Sequence, residues 1–384
     1  MTIAEILSNE ELRQHEFPVT RERIFLGHAG VSALPRRVSE AIREYALQCT
    51  RGDLEVLAPS FQINQTREVV ARLIHAQPEE VAFVGPTSLG LSLVASSLKF
   101  RRTDNILIYH DDFPSNVYPW MALANRGVQV RLLNTRGDLG RIRTVDVMGQ
   151  VDEQTRFVAL ASSHFVSGFR LELDAIGKYL RERGILFCVD GIQTLGAFPT
   201  TVENVDFLAA DAHKWLLGPG AAGLLYVRKE LQEHLFPSIY GWHNVKCPDF
   251  VAQENVELHP DIRRFEAGSE NLFGLVGMRA GIEMILELGV ENIAAELLRK
   301  RAWLVPALQQ KGYVVLHASA KPENQGGVIA FHKPGEDMVA LNQKLATAKI
   351  SAIVRADRAG NHYIRISPHF YNTDAELNRM LEVL

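Results

Sequence analysis

The sequence has few cysteines and no excess of basic charge, and both absences exclude classes of protein. Its 3 cysteines among 384 residues, Cys49, Cys188 and Cys247, are too few for a disulfide framework and form no CxxC pair of a metal site. The 41 Lys and Arg against 45 Asp and Glu give a net charge of −4, without the basic footprint of a nucleic-acid-binding protein. Apolar runs such as 81–85 and 184–189 end well before the roughly 20 residues of a membrane helix. We therefore expect neither a nucleic-acid nor a membrane partner.

Residues 1–18 also lack the basic start and the apolar stretch of a signal peptide, so we expect a cytoplasmic protein. From about residue 20 to 260, short apolar runs alternate with amphipathic segments, which is typical of an α/β fold with a mostly parallel sheet covered by helices. Beyond 260, two long helical patterns precede shorter strand-like runs. The sequence predicts a large domain at 20–260, a smaller α+β domain at 261–384, and an N-terminal segment, 1–19, packed on the small domain.

Two chemically active side chains stand at predicted strand ends. Asp190 closes the run GILFCVD, and Lys214 follows the run VDFLAA in DAHKW. Ligands bind beyond the carboxyl ends of parallel strands, so both side chains are expected in the same crevice. A partly buried lysine can lose its proton near neutral pH and attack an aldehyde.

Three further features complete the predicted site. The GPTSLG turn places Thr87 and Ser88 at a helix start, where free N–H groups favour a phosphate. Phe113 follows another strand and is positioned to stack on a planar ring, and Gln193 lies one turn after Asp190. A phosphate seat, a lysine, a carboxylate and an aromatic side chain are what pyridoxal 5′-phosphate (PLP) requires, with Asp190 keeping the pyridine nitrogen protonated.

Segment 173–231, with CVDGIQ and DAHKW, resembles the core of the aminotransferase class V family of PLP-dependent enzymes, which includes cysteine desulfurases, selenocysteine lyases and isopenicillin N epimerase-like proteins. The similarity extends from 24–42 to 364–380. The resemblance implies fold type I, with a mostly parallel seven-stranded sheet in the large domain and a smaller α+β C-terminal domain. It makes Lys214 the Schiff-base lysine, and it places Asp190 at the pyridine nitrogen and Gln193 near the ring oxygen.

The same resemblance implies binding roles outside the core. His213, Thr87 and Ser88 match phosphate positions, and Arg365 matches the arginine that binds the substrate α-carboxylate. Gly268 and Ser269 match a segment that reaches the neighbouring subunit's phosphate, which implies a homodimer with shared sites. Substrate-binding candidates of the pocket are Trp242, His243 and Arg355.

Several positions depart from the family pattern. Phe113 replaces the histidine that many members stack on the ring, and it cannot exchange protons. Asp211 stands where desulfurases have serine; an anion there is a poor phosphate ligand, and we expect it to orient His213 or Ser88. Segment 351–364 contains no cysteine, although a desulfurase needs a thiolate on a loop before the closing arginine, so persulfide chemistry is disfavoured. Cys247 is the one cysteine in a loop-like context, and its role stays open.

The sequence thus predicts a PLP-dependent enzyme that acts at Cα of an amino acid, with Lys214 and Asp190 as catalytic residues. We favour an aminotransferase, with a β-elimination (C–S) lyase or an epimerase as alternatives. Two other classes remain: a metal-dependent hydrolase using Asp190, Asp211 and His213, and a catalytically inactive binding protein. No metal is expected in the PLP-dependent interpretation.

Overall fold

The computed structural model of the protein describes residues 1–52 and 59–384. The helices are α1 Ile3–Ser8, α2 Glu10–Glu16, α3 Val19–Glu22, α4 Arg36–Cys49, α5 Pro59–Ile74, α6 Thr87–Ser97, α7 Tyr118–Met121, α8 Thr144–Met148, α9 Leu173–Arg181, α10 Leu272–Leu288, α11 Val290–Gln310, α12 Met338–Thr347 and α13 Asp374–Val383. The strands are β1 Ile24–Phe25, β2 Val81–Phe83, β3 Asn105–Ile108, β4 Gln129–Leu132, β5 Thr155–Ala161, β6 Leu186–Asp190, β7 Phe207–Asp211, β8 Gly223–Val227, β9 Val314–Val315, β10 Ile329–His332, β11 Ile350–Ser351, β12 Ile353–Ala356 and β13 His362–Ile366.

A seven-stranded sheet in the order β2-β8-β7-β6-β5-β3-β4 forms the centre of the larger part of the protein. Its ladders are parallel from β7 to β4, and β8 alone runs against its two neighbours. This arrangement confirms the predicted α/β class with a mostly parallel sheet. The carboxyl ends of β3, β5, β6 and β7 consequently lie at one edge, where such sheets bind ligands.

The central strands are apolar on both faces because both faces are covered. In β6, Phe187 and Val189 belong to the apolar cluster on one side of the sheet, whereas Cys188 belongs to the cluster on the other side. In β7, Leu208 belongs to the first of these clusters and Phe207 to the second. Since side chains alternate along a strand, burial on both faces requires the continuous apolar runs seen in the sequence.

A smaller antiparallel sheet, in the order β12-β13-β10-β9, stands beside the large one. Strands β12 and β13 form a hairpin in which Ile353 pairs with Arg365 and Arg355 pairs with Tyr363. Because residues two apart in a strand share a face, Arg355, Ile353 and Arg365 lie on the same face of this hairpin.

A third, two-stranded sheet contains a strand near the N-terminus. Strand β1 pairs with β11, and α10 packs against α4 and α5. Near the N-terminus, Phe17 stacks on Tyr371 with ring centroids 4.0 Å apart, and Arg13 pairs with Glu376 at 2.8 Å. The predicted domain bounds, 1–19, 20–260 and 261–384, stay a prediction. None of the helices in the described part of the chain combines the length and apolar character needed to cross a membrane.

Candidate active site

A cavity of about 590 Å³ lies between the carboxyl edge of the large sheet and the β12–β13 hairpin. This volume is within the range of small-molecule sites, about 300–1,000 Å³. The structure brings eight of the predicted site residues together in its lining: Thr87, Ser88, Phe113, Asp190, His213, Lys214, Arg355 and Arg365.

Asp190 and Lys214 form the buried centre of the cavity. Asp190 is the last residue of β6 and Lys214 follows the end of β7, so neighbouring parallel strands deliver both side chains to the same edge. Burial lowers the pKa of Lys214 to about 8, although the nearby Asp190 carboxylate opposes that change. Burial raises the pKa of Asp190, and Lys214 opposes it in turn. The cavity therefore contains an amine that is partly neutral near physiological pH.

A second buried carboxylate, Asp112, was not predicted from the sequence. Its oxygens accept hydrogen bonds from the Phe113 N–H at 2.7 Å, the Asn116 side chain at 3.0 Å and the Ala161 N–H at 3.2 Å. Burial and the charge of Asp190 raise the pKa of Asp112 to about 7. These bonds tie the loop that carries Phe113 to the end of β5. The strand-end rule that identified Asp190 also applies to the DDF segment after β3 and would have found Asp112.

At the other end of the cavity, α6 begins at Thr87, so the N–H groups of its first turn lack partners within the helix. The Thr87 hydroxyl is buried and has no hydrogen-bond partner among the described residues. The Ser88 hydroxyl lies 2.6 Å from that of Ser115. A buried hydroxyl without a partner beside a helix start is the arrangement that a phosphate would satisfy.

His213 borders the same end. Its Nδ1 lies 3.1 Å from an Asp211 carboxylate oxygen, and the other Asp211 oxygen accepts the Ala221 N–H at 3.0 Å. Asp211 therefore contacts His213, one of the two partners expected for it. The roles of both side chains towards a phosphate stay predictions.

Phe113 lines the cavity, and Gln193 follows Asp190 by three residues without lining it. The Phe113 ring centroid is 5.4 Å from Lys214 Nζ. The Gln193 side chain donates to the Ala29 carbonyl at 3.2 Å and accepts the Trp215 indole N–H at 3.1 Å. These bonds fix the orientation of the Gln193 side chain, and its predicted contact with a ring oxygen stays a prediction.

Arg365 lines the cavity and carries a buried guanidinium group. Its Nη1 donates to the Phe165 carbonyl at 2.6 Å, whereas its buried Nε and Nη2 have no acceptor among the described residues. Burial, with a contribution from Arg355, lowers the pKa of Arg365 to about 9. Nε and Nη2 are adjacent N–H groups, so their geometry fits the two oxygens of a carboxylate. Phe165, which orients this fork, was not predicted.

Trp242, His243 and Ser269 do not line this cavity. Ser269 borders a second cavity, and His243 Nδ1 lies 3.3 Å from a Glu270 carboxylate oxygen. Their predicted roles, which for Ser269 depend on a partner subunit, stay predictions. Cys247 lies away from the main cavity, with its thiol donating to the Val251 carbonyl at 3.3 Å.

The structure does not favour the metal-dependent hydrolase. Within residues 1–52 and 59–384, the ligand atoms of Asp190, Asp211 and His213 do not all lie within 4.8 Å of one another. The group that meets this distance is His243, Glu266 and Glu270. Glu266 is already engaged there by Arg67 at 3.0 Å and by the Phe83 N–H at 2.9 Å.

Comparison with known proteins gives a family match over nearly the whole chain. The family model for aminotransferase class V matches residues 24–380. A probable cysteine desulfurase of Methanothermobacter thermautotrophicus is 27% identical, and the alignment covers 98% of each chain.

Solved structures show the same architecture. The apo structure of the cysteine desulfurase from Thermococcus onnurineus NA1 superimposes with a TM-score of 0.88 at 27% identity, covering 97% of this chain and 96% of that one. The cystine C–S lyase C-DES, solved in complex with its product cysteine persulfide, has a TM-score of 0.86 at 22% identity, covering 95% of this chain and 98% of that one. A C-DES mutant has also been solved with glycine covalently linked to the PLP cofactor.

Proposed function

Because the chain belongs to aminotransferase class V, a family of PLP-dependent enzymes, we propose that it is a lyase that breaks the Cβ–S bond of an amino acid by β-elimination. The observation that carries the proposal is the cavity, whose lining combines a buried amine, a buried carboxylate and a guanidinium with two donor atoms that lack an acceptor among the described residues.

The residues present fit PLP. The unpartnered Thr87 hydroxyl and the start of α6 would hold the phosphate, Asp190 would face the pyridine nitrogen, and the Phe113 ring would cover one face of the cofactor. When bound, PLP supplies an electron sink that stabilises negative charge at the substrate Cα.

Lys214 is the residue we assign to proton transfer. With a pKa of about 8, Lys214 is neutral in about one quarter of the protein molecules at pH 7.5. A neutral amine beside the substrate can accept the Cα proton as a general base. The Asp190 carboxylate stabilises the ammonium that forms.

Arg365 orients the substrate for this transfer. The Phe165 carbonyl holds Nη1 of its guanidinium, and Nε and Nη2, which have no acceptor among the described residues, remain for a substrate carboxylate. An α-carboxylate bound by this fork would place the Cα hydrogen at a defined position relative to Lys214.

Two observations support elimination. The 27% identical relative is a probable cysteine desulfurase, an enzyme type that breaks a Cβ–S bond, which favours the lyase alternative over the aminotransferase preferred in the sequence analysis. None of the three cysteines lines the main cavity, so no thiol is placed to capture the sulfur. Sulfur that is not captured would leave as a free product, with pyruvate and ammonia.

The test supplies PLP-loaded protein with L-cysteine and measures sulfide, pyruvate and alanine. We expect pyruvate and sulfide in equal amounts. Lys214→Ala should abolish both products, whereas the control Lys178→Ala, at an exposed position of α9, should form them at the wild-type rate. Cys247→Ser should also retain activity. Alanine in place of pyruvate would contradict elimination. A keto acid that forms only when a 2-oxo acid is added as amino-group acceptor would indicate transamination.

A further inference from the structure

The hairpin that closes the cavity carries a second arginine on the same face as Arg365. Ile353 pairs directly with Arg365, and Arg355 follows Ile353 by two residues, so the two arginines are diagonal neighbours. Diagonal neighbours on antiparallel strands have Cα atoms about 7–8 Å apart, within reach of long side chains. Both side chains line the cavity.

Neither arginine has a carboxylate partner in the described residues. No ion pair there includes Arg355 or Arg365, and the one hydrogen bond of the Arg355 side chain goes from Nη1 to the Val354 carbonyl at 3.2 Å. The lining contains two carboxylates, and neither pairs with an arginine of the described chain: Asp211 contacts His213, and Asp190 acts electrostatically on Lys214. Two positive charges therefore stand together at the substrate end of the cavity.

The two arginines affect the pKa of each other's neighbours in the cavity. Burial is the largest cause of the lowered pKa of Arg365, and the charge of Arg355 lowers it further. The pKa of Lys214 responds most to burial and then to Asp190, and both arginines lower it as smaller contributions. The α-carboxylate of an amino acid neutralises one guanidinium through the Arg365 fork. Arg355, half-buried, would keep an uncompensated charge unless the substrate brought a second anion.

We propose that the natural substrate is an α-amino acid whose β-substituent carries a second negative charge, and that Arg355 binds this group. The inference rests on the lyase function proposed above and names the substrate class of the same site. Guanidinium groups bind carboxylates and sulfonates through paired N–H donors, and both arginines would repel a cationic side chain.

S-sulfo-L-cysteine represents this class. In its elimination, Lys214 takes the Cα proton and the Cα–H electron pair forms the Cα–Cβ double bond. The Cβ–S bond breaks, and thiosulfate leaves with the bonding pair. The released 2-aminoacrylate then reacts with water to give pyruvate and ammonium, and one proton is released overall. No oxidant or reductant is required, and Arg355 would stabilise the negative charge that develops on the leaving group.

A binding experiment separates recognition from turnover. 2-Methyl-L-aspartate and 2-methylalanine both lack a Cα hydrogen, so neither can react further, and only the first has a side-chain anion. Their dissociation constants are measured at fixed ionic strength from the change in the visible absorption of the PLP-loaded protein. We expect the dianionic ligand to bind at least about tenfold more tightly than 2-methylalanine.

Variants assign the preference to Arg355. Arg355→Gln should bring the ratio of the two dissociation constants close to one, and Arg355→Lys should retain part of it because it keeps the charge. Arg141→Gln removes an exposed arginine that does not line the cavity and should leave the ratio at its wild-type value. A wild-type ratio near one, or the same ratio in Arg355→Gln with cofactor absorption intact, would overturn the proposal.

Kinetics distinguish failure of this proposal from failure of the lyase function. β-Chloro-L-alanine has a good leaving group and no second anionic group, so its conversion to pyruvate tests elimination alone. If it gives no pyruvate, the lyase function is wrong. If it reacts, kcat/KM for S-sulfo-L-cysteine relative to β-chloro-L-alanine should fall at least about tenfold in Arg355→Gln. An unchanged ratio would overturn the substrate class while leaving the lyase function in place.

Discussion

Replacing Arg365 by methionine should stabilise the cofactor-free protein although it removes the proposed binding site of the substrate carboxylate. The Arg365 side chain is 2% exposed, and two of its donor atoms are buried without an acceptor in the described residues. It also has no ion-pair partner there, so the substitution leaves no buried carboxylate unpaired. A charge buried in this way costs folding free energy, which methionine would recover.

The magnitude follows from the pKa. Burial, with a smaller effect of Arg355, lowers the pKa of Arg365 from 12.5 to about 9. At about 1.36 kcal/mol per pH unit, this corresponds to about 5 kcal/mol of folding free energy. The folded protein binds the proton less tightly than the unfolded chain, so the cost is present in full below pH 9 and decreases as the pH rises towards 12.5. Methionine leaves the Phe165 carbonyl without its donor, which costs about 1–3 kcal/mol. We expect a net gain of about 2–4 kcal/mol at pH 7.5.

Thermal and urea unfolding of the cofactor-free proteins at pH 7.5 measure this gain. The variant should unfold about 2–5 °C above wild type, since about 1 kcal/mol shifts the midpoint by roughly 1.2 °C in a chain of this size. The control Arg141→Met, at an exposed site, should unfold with wild type. With PLP loaded, Arg365→Met should lose at least about a hundredfold in kcat/KM because the charged fork is gone. An unfolding midpoint at or below that of wild type would refute the reasoning that Arg365 is held at the expense of stability.

Three further predictions concern the cofactor seat and the loop behind Arg365. The rate at which cofactor-free protein takes up PLP should rise with pH through about 8 and then level off, since only neutral Lys214 attacks the aldehyde; stopped-flow absorbance measures it, and a flat profile between about pH 6 and 9 would contradict it. Thr87→Val should weaken PLP binding about tenfold in equilibrium titrations, because the phosphate loses the hydrogen bond expected from the buried Thr87 hydroxyl. Unchanged affinity would show that Thr87 does not bind the phosphate. Gly168→Ala should lower the free energy of unfolding by at least about 2 kcal/mol, since its φ is +71° and a Cβ would lie 2.4 Å from the Val328 carbonyl oxygen. The matched control Gly335→Ala, with φ +80° and no atom within 4 Å of its Cβ, should cost only about 1 kcal/mol; equal losses would show that the contact with Val328 is unimportant.

The centre of the site was predictable because a general rule of parallel sheets determines it. Apolar runs identify the strands, and the residue that closes each run lies at the ligand-binding edge. This reasoning alone places Asp190 and Lys214 together, and the structure delivers both to one cavity. The cofactor required an additional argument, the joint presence of the Thr87 turn and Phe113.

The remaining contacts depend on residues distant in sequence. The carbonyl that orients Arg365 belongs to Phe165, 200 residues away, and no periodicity connects a loop after β5 with strand β13. The placement of Arg355 beside Arg365 depends on the register of β12 with β13, which a shift of one residue would reverse. Trp242 and His243 do not line the main cavity, and their roles, which the resemblance implied, stay predictions.

The short turn between β12 and β13 connects the proposed chemistry to the proposed substrate. Arg358 in this turn donates to the Asp111 carboxylate at 2.5 Å and to the His110 carbonyl at 2.9 Å, which ties the hairpin to the loop that carries Phe113. The turn itself is closed by bonds from Asn361 to Asp357. In desulfurases, the family resemblance requires a thiolate on a loop that precedes the closing arginine. Here that position is occupied by a tethered turn without cysteine, and the hairpin contributes the Arg355 side chain to the lining of the cavity. A site that offers a leaving sulfur group a positive charge, and no thiol to capture it, is suited to stabilising and releasing an anion, so the same local change in sequence would account for both the proposed elimination and the proposed preference for an anionic β-substituent.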